Sequence, residues 1–412
     1  MPSNRASWFV LVGLLAFAPL AFGAVEFWSI AIVEVLALVL TLSWVFGGVR
    51  RRRLSLQMNA FFWSAIGLQL WVALQLLLRR TIDRTSTREG LVLLFCYFLV
   101  FLVVSNEYWS ARWVRQLAMA IALIGFAVAM LGMVQFFAWN GSIYWVRPIN
   151  VGYPFGPYVN HNHFAGLMEM AFPVTLSLAF STRSGMAGRT FMIFSGVVMA
   201  LATFMSLSRG GMFSLALSFL LFVYLLLRRS VRTRVVLLAG LLVVLGLGGL
   251  IWLGAEPLVQ RVLALPRLGQ ELSYLDRVRI AGATLRIIQD HPYTGTGLGT
   301  FALLSPMYVS WPTSFLFDKA HNDYLQLLSD VGLIGFSFAV IWIVALVHSL
   351  VSMVRDDSHH SSILRVGAFC GCFAILIHSF VDFNLQIPAN AIYFAVLAAL
   401  ATRQYRGESR RF

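Results

Sequence analysis

Charge and cysteine are both scarce in this 412-residue chain. Only 12% of the residues are charged against 59% hydrophobic, where a soluble domain carries about a quarter charged. With a mean hydropathy of +0.80, that balance excludes an ordinary soluble fold and reads as an integral membrane protein. Three cysteines, Cys96, Cys370 and Cys372, all lie inside apolar runs, which argues against a disulfide framework or a metal knuckle; they read as lipid- or core-facing filling. No pair of carboxylates stands at metal-binding spacing, and no nucleic-acid motif is present. The formal charge of +14 sits in short arginine clusters between apolar runs, a pattern of membrane topology rather than of a polyanion partner. The dyad alternation of a β-barrel is missing too, which leaves helices as the spanning element.

What is present is a succession of apolar runs. A bilayer core needs about 20 residues of helix, and on that ruler roughly twelve spans are expected, near 8–24, 28–47, 59–78, 90–104, 116–138, 164–182, 190–207, 211–227, 235–253, 333–354, 366–380 and 388–402. The opening MPSNRASWFVLVGLLAFAPLAFGA has the shape of a secretory signal peptide, but further spans follow without pause, and it reads as a first transmembrane helix. The expected fold class is therefore an all-α polytopic membrane protein with a long, partly helical periplasmic loop. It divides into N-terminal transmembrane helices (1–140), central helices with an outer loop (141–253), a large outer segment (254–332), and C-terminal helices with a cytoplasmic tail (333–412).

Orientation follows from arginine. With both termini cytoplasmic, the inner segments hold Arg50 to Arg53, Arg112, Arg115, Arg228, Arg229 and Arg355. RRTIDRTSTRE at 79–89 is the exception, four arginines where parity says outside. The same parity puts the long break at 254–332, the loop at 139–163, the tight SRGG at 208–211 and VDFNLQIP at 381–388 on one outer face.

The chemistry-bearing residues fall in those segments. Within ELSYLDRVRIAGATLRIIQDHP, Leu272, Leu275, Gly282 and Leu285 recur at helical spacing, and HPYTGTGLGTF then breaks the pattern. Arg279 and Arg286 share one face of that helix, whereas Arg277 is about 200° from Arg279, so only one face can look into a site. GTGLG resembles a phosphate loop without being a Walker sequence. Arg209 sits in a turn so short that two helices must meet around it, where a guanidinium is costly unless it reaches water or an anion. His161 and His163 in NHNHF lack the convergent ligands of a metal site and read as capping groups, with Asn162 between them. Glu169, inside the next span, should pair or face a cavity; His348 and His378 read as satisfied core residues. His321 precedes a helix on which Leu325, Leu328 and Val331 form an apolar stripe. At that N-terminus the dipole disfavours imidazolium, and a neutral imidazole is what a general base must be.

His321-Asn322, nine residues, then Gly-Leu-Ile-Gly at 332–335 resembles the signature of the O-antigen ligase and polymerase family of bacterial membrane glycosyltransferases. SRGG at 208–211, RV…DHPYTGTGLGTF at 277–301, VNHNHFAG at 159–166 and VDFNLQIPANAIYF at 381–394 add to the resemblance. The family often has an aromatic four residues after the arginine matching Arg277; this chain has Ala281. The resemblance implies a GT-C-like fold in the bacterial inner membrane and a metal-independent, cofactor-free, inverting transfer. The glycan would pass from an undecaprenyl diphosphate-linked donor to an acceptor, either lipid A-core or a second lipid-linked glycan. It implies that His321 activates the acceptor hydroxyl and that Arg209 and Arg277 hold the donor diphosphate, with Arg286 behind them. His161, Asn162, His163, Glu169 and Asn322 are candidates to touch donor or acceptor. A protein O-oligosaccharyltransferase and a glycolipid flippase are the alternatives, although no internal repeat of the transporter kind is visible.

Overall fold

The structure is a computed structural model and describes residues 5–52, 56–107, 110–149, 153–181, 185–228, 240, 274–312, 316–355 and 362–402. The expected span at 235–253 apart from residue 240, the first part of the long outer segment and the C-terminal tail lie outside them. The described chain is helical: α1 (Arg5–Leu20), α2 (Phe27–Arg50), α3 (Ala60–Leu77), α4 (Arg84–Glu107), α5 (Ala111–Phe137), α6 (His161–Phe180), α7 (Met186–Met205), α8 (Arg209–Leu227), α9 (Tyr274–Asp290), α10 (Phe301–Tyr308), α11 (Asp323–Arg355), α12 (Ser362–His378) and α13 (Pro388–Ala401). Eight of these, α2 to α8 and α11, are long and apolar enough to cross a membrane, and α1, α12 and α13 are shorter apolar helices. A two-stranded hairpin, β1 (Ser142–Ile143) and β2 (Arg147–Pro148), decorates the α5–α6 connection.

Every residue of α6 is buried, as expected of a helix that is apolar all round; α5, α7, α8, α12 and α13 pack against it. Close approach is made by glycine. Gly367 and Gly371 of α12 lie against the backbone of α6 at Pro173 and Met170, the small-residue contact that lets transmembrane helices meet where no hydrophobic effect drives them. All three cysteines are buried in this core. His348 is not: it lies exposed on α11, so the expectation of a core histidine fails there, because an apolar helix in lipid has an outward face as apolar as its inward one.

The connections gather at two ends. At one, Tyr144 donates to the Leu20 carbonyl, Ile82 N–H to Thr296, His161 N–H to Tyr153 and Asp323 N–H to Ser379. At the other, Arg51 pairs with Glu107 and Arg115 bonds Ser181. The segment 79–89, the exception to the arginine parity, thus sits at the same end as His321.

α11 is two helices in one. Gly332 has φ 63° and ψ −176°, a conformation essentially restricted to glycine. Residues 323–331 lie across the His321 end, and 333–355 turn into the bundle along α3, where Gly335 meets Trp71 and Gly67 meets Phe338. The break orphans carbonyls that helix would have satisfied. Thr296 N–H donates to Ser329, Gly297 N–H to Asp330, and Trp71 Nε1 to Val331 at 2.8 Å. Gln75 Nε2 donates to the carbonyls of Thr294 and Asp330, and Gly299 N–H to the Asp330 carboxylate. GTGLG is therefore the cap of a broken helix, with its Gly297 and Gly299 N–H groups already engaged, and not a phosphate cradle. Gly295 and Gly332 face each other so closely that a Cβ on either would meet the other's backbone. Gly332→Ala is accordingly expected to destabilise the fold by at least about 2 kcal/mol, from left-handed strain plus overpacking, read as a lower melting temperature in detergent.

The polar face of residues 323–331 is the buried one. Asp323, Gln326, Ser329 and Asp330 are buried with Val331, whereas Leu325 and Leu328 are only half-buried, so the expected apolar stripe is not the packed one. On α9 a different set is packed from the one that marks the helical spacing: Ile280, Ala283 and Ile287 pack on Phe301, Leu304 and Phe317. Leu275 and Leu285, which mark the helical spacing in the sequence, are 62% and 48% exposed, and nothing among the described residues lies within 4 Å of a Cβ built at Gly282. Where the surroundings are lipid, leucine gains little by facing inward, and polar groups must find partners inside the protein.

Candidate functional site

The turn between α12 and α13 is the platform on which the site is built. Asp382 N–H donates to His378 at the end of α12, and Asn384–Gln386 form one turn of 3₁₀ helix. Asp323, the first residue of α11, clamps this turn: its N–H donates to the Ser379 carbonyl, and its carboxylate accepts from Ser379 Oγ at 2.8 Å and Leu385 N–H at 3.0 Å. Gln326 bonds Gln386. From the other side, Asn390 donates to the His163 carbonyl and to Asn384, and accepts from Tyr158. Segments more than 200 residues apart in sequence are thereby locked together.

Three side chains from three other segments then converge on one carboxylate. Asp382, 1% exposed at its side chain, has His321 Nδ1 3.9 Å from Oδ1 and Arg277 Nη2 3.9 Å from Oδ2. His163 Nε2 stands 3.7 Å from Oδ1. Arg277 also donates from Nη1 to the Val381 carbonyl at 3.2 Å. The Phe383 ring meets both imidazoles edge-on, its centroid 4.6 Å from that of His163 and 4.9 Å from that of His321. His163 Nε2, His321 Nδ1, Arg277 Nε and Asp382 Oδ2 are all buried, and none has a hydrogen bond among the described residues. Such a concentration of unsatisfied polar atoms is costly in a stable core and characteristic of a site that a ligand or water completes.

His321 stands at φ 50°, in the left-handed region that costs a non-glycine residue roughly 1–2 kcal/mol. Strain of that kind persists where the surroundings over-determine it. Burial pulls the His321 imidazole below its ordinary value; Asp382 opposes that, and Arg277 adds to it. Burial alone would push the Asp382 carboxyl up, but the His163 and His321 imidazoles and the Arg277 guanidinium outweigh it and hold it well below the usual carboxylate range. A neutral imidazole beside a carboxylate and a fixed cation can accept a proton from a hydroxyl and stabilise the imidazolium that results.

The remaining sequence candidates are divided by the structure. Arg209 opens α8 behind the Ser208 cap, whose Oγ accepts from Gly211 N–H. It is exposed and has no ionic partner among the described residues. Its neighbour Gly210 abuts His378 and Val381, and Gly211 abuts Ala165, so the two glycines seat α8 beside the same turn that holds Asp382. Arg286 does not join the cluster: nine residues after Arg277 it lies about half a turn around the helix axis and donates to the Tyr308 carbonyl at 2.6 Å. Arg279 is exposed beside Asp276. Asn322, expected to touch a ligand, instead caps α11: its Oδ1 accepts from Tyr324 and Leu325 N–H, and its Nδ2 donates to Phe380. His161 bonds the Ser206 carbonyl through Nδ1 at 2.7 Å, tying α6 to the turn that carries Arg209. Asn162 is buried in the first turn of α6. Glu169 is fully buried and faces His378 Nδ1 at 3.2 Å through both oxygens; it pairs rather than opening into a cavity.

Asp382 and Phe383 are the members that the sequence reading left unassigned. The signal was a carboxylate set between Val381 and Phe383 in a short connection between two apolar helices, the kind of charge at a membrane-helix end that marks a site. Among curated proteins nothing matches this chain. Residues 194–340, the stretch that carries Arg209, Arg277 and His321 but stops short of Asp382, match a family model described as O-antigen ligase.

Proposed function

We propose that this protein transfers an oligosaccharide or polysaccharide from undecaprenyl diphosphate to an acceptor hydroxyl at the periplasmic face of the bacterial inner membrane. The observation that carries the reading is the meeting of His321 and Arg277, from separate segments, at the buried carboxylate of Asp382. Asp382 faces Nδ1 of His321, so the proton of the neutral ring belongs on Nδ1 and the lone pair of Nε2 is left for the acceptor. His321 Nε2 takes the hydroxyl proton as the acceptor oxygen attacks the anomeric carbon from the side opposite the diphosphate. The bond from that carbon to the diphosphate oxygen breaks, and polyprenyl diphosphate leaves with the electron pair. The anomeric centre inverts, and the proton on His321 passes to water.

Charge grows on the leaving diphosphate as the bond stretches. Fixed guanidinium groups in a partly dry site stabilise that charge without reorganising, and Arg277 and the exposed Arg209 are the groups for it. Arg286, engaged elsewhere, has no direct part. The polyprenyl tail lies among the spans while the glycan projects outward, which fits a catalytic cluster at one end of the bundle rather than at its middle.

The test is transfer by purified protein given a lipid-linked glycan and, in separate reactions, lipid A-core, a second lipid-linked glycan or a protein acceptor. Product with inverted anomeric configuration, undiminished by chelator, is expected with one acceptor class. Transbilayer movement of the lipid without any glycosidic product would identify a flippase instead, and activity lost to chelator and restored by a divalent ion would contradict the metal-free reaction.

A further inference from the structure

We propose that His163 is a positioning residue of the catalytic centre, which holds Asp382 opposite His321 and limits how strongly that carboxylate stabilises the His321 imidazolium. The inference rests on the reading of His321 as the base.

Both imidazoles approach the same oxygen. His163 Nε2 is 3.7 Å and His321 Nδ1 3.9 Å from Asp382 Oδ1, and that oxygen already accepts the Phe383 N–H at 2.8 Å. Both ring nitrogens are buried without a hydrogen bond among the described residues, and each ring meets Phe383 edge-on. The His163 backbone is fixed at both ends, its N–H donating to Asn160 and its carbonyl accepting from Asn390. Nothing in this arrangement makes His163 a capping group, the role its sequence position suggests; the cap is Asn160, whose side chain accepts from Asn162 N–H.

One carboxylate oxygen has limited acceptor capacity. An Nε2–H of neutral His163 directed at Oδ1 draws on the density that would otherwise bind the Nδ1–H of His321, and the imidazolium of His321 is then less favoured. The other titratable and charged groups around the pair are Arg277 and Asp318 facing His321, His161 and His378 facing His163, Glu169 paired with His378, and Asp323 of α11 clamping the turn that carries Asp382. Arg277, Asp318 and Asp323 stay in place when His163 is changed, so the sign of the effect is set by Asp382. Removing the His163 donor strengthens Asp382 as a partner for His321, and more base is protonated at a given pH. Removing the Asp382 charge does the opposite.

The experiment is the pH dependence of kcat/KM for the full-length protein in detergent or liposomes, with a polyprenyl diphosphate-linked glycan as donor. For His163→Ala the acidic limb is expected to move up by about half to one pH unit, and for Asp382→Asn to move down. His163→Gln, which keeps a donor, should leave the limb near its wild-type position. Should His163→Ala fail to insert, His163→Phe fills the volume and carries the same expectation. A lower rate with an unmoved limb in His163→Ala and His163→Phe would overturn the proposal and leave His163 a packing residue. Wild-type rates in a His321 variant would instead remove the base itself.

Discussion

Replacing His321 with asparagine is expected to lower glycan transfer by about 10²- to 10⁴-fold, the range for loss of a general base, with expression and membrane insertion unchanged. Asparagine is the informative variant because the backbone at 321 stands at φ 50°, and asparagine tolerates the left-handed region that alanine resists. The ring meets Phe383 edge-on, and the helix that follows is capped by Asn322 rather than by His321, so that cap does not depend on the imidazole. His321→Ala should be equally inactive but less stable. Transfer near the wild-type rate in either variant, measured with purified protein, would remove His321 from the chemistry.

Arg277→Lys is expected to cost about 10²- to 10³-fold in kcat, the scale on which a fixed donor to a developing oxyanion contributes. Arg277 is held in two ways, by the Val381 carbonyl and by Asp382, which leaves its remaining N–H groups aimed. A lysine ammonium is a point charge on a flexible stem and reproduces neither hold. Arg209→Lys should fall in the same range, since Arg209 is exposed with no ionic partner among the described residues, and its neighbour Gly210 lies against Val381. Arg286 supplies the contrast. It donates to the Tyr308 carbonyl, about half a turn around α9 from Arg277, so Arg286→Ala should leave kcat within about threefold, in line with a surface change. A larger loss in Arg286→Ala than in Arg277→Lys would mean that α9 presents its other face to the substrate.

Hydropathy makes the spans legible because each is long and apolar enough to be read one at a time. It could not say which side of a span faces protein. His348 lies outward and Cys370 inward on helices of similar composition, and on residues 323–331 the buried residues are Asp323, Gln326 and Asp330 rather than the leucines. Helical spacing finds a stripe; in lipid it does not find the packed one. The bend at Gly332 was hidden for a different reason. A glycine followed by an apolar run reads as the start of a span, whereas its role depends on contact with Gly295, 37 residues earlier. Of the site, His321 and Arg277 were visible through their motifs. Asp382, which gathers them, was not, because its importance lies in distances to residues 163, 277 and 321 that no local pattern encodes. Arg286 was misplaced with Arg277, although the helical period already set the two about half a turn apart.

The central claim is that a neutral imidazole, assembled with a carboxylate and a guanidinium from distant segments, acts as the base. The most direct measurement is the pH dependence of kcat/KM for wild-type transfer, which reports the protonation state of the free enzyme's essential groups. The diphosphate donor does not titrate between pH 4 and 8 in a way that would mimic the base, being a diester with its charge already developed. A base must be unprotonated to act, and burial draws the His321 imidazole below its ordinary value near 6.5. The rate should therefore rise with pH on a single-proton limb and reach its plateau by about pH 7. A rate that falls as the pH rises towards 7, or an acidic limb centred above the ordinary imidazole value, would contradict it.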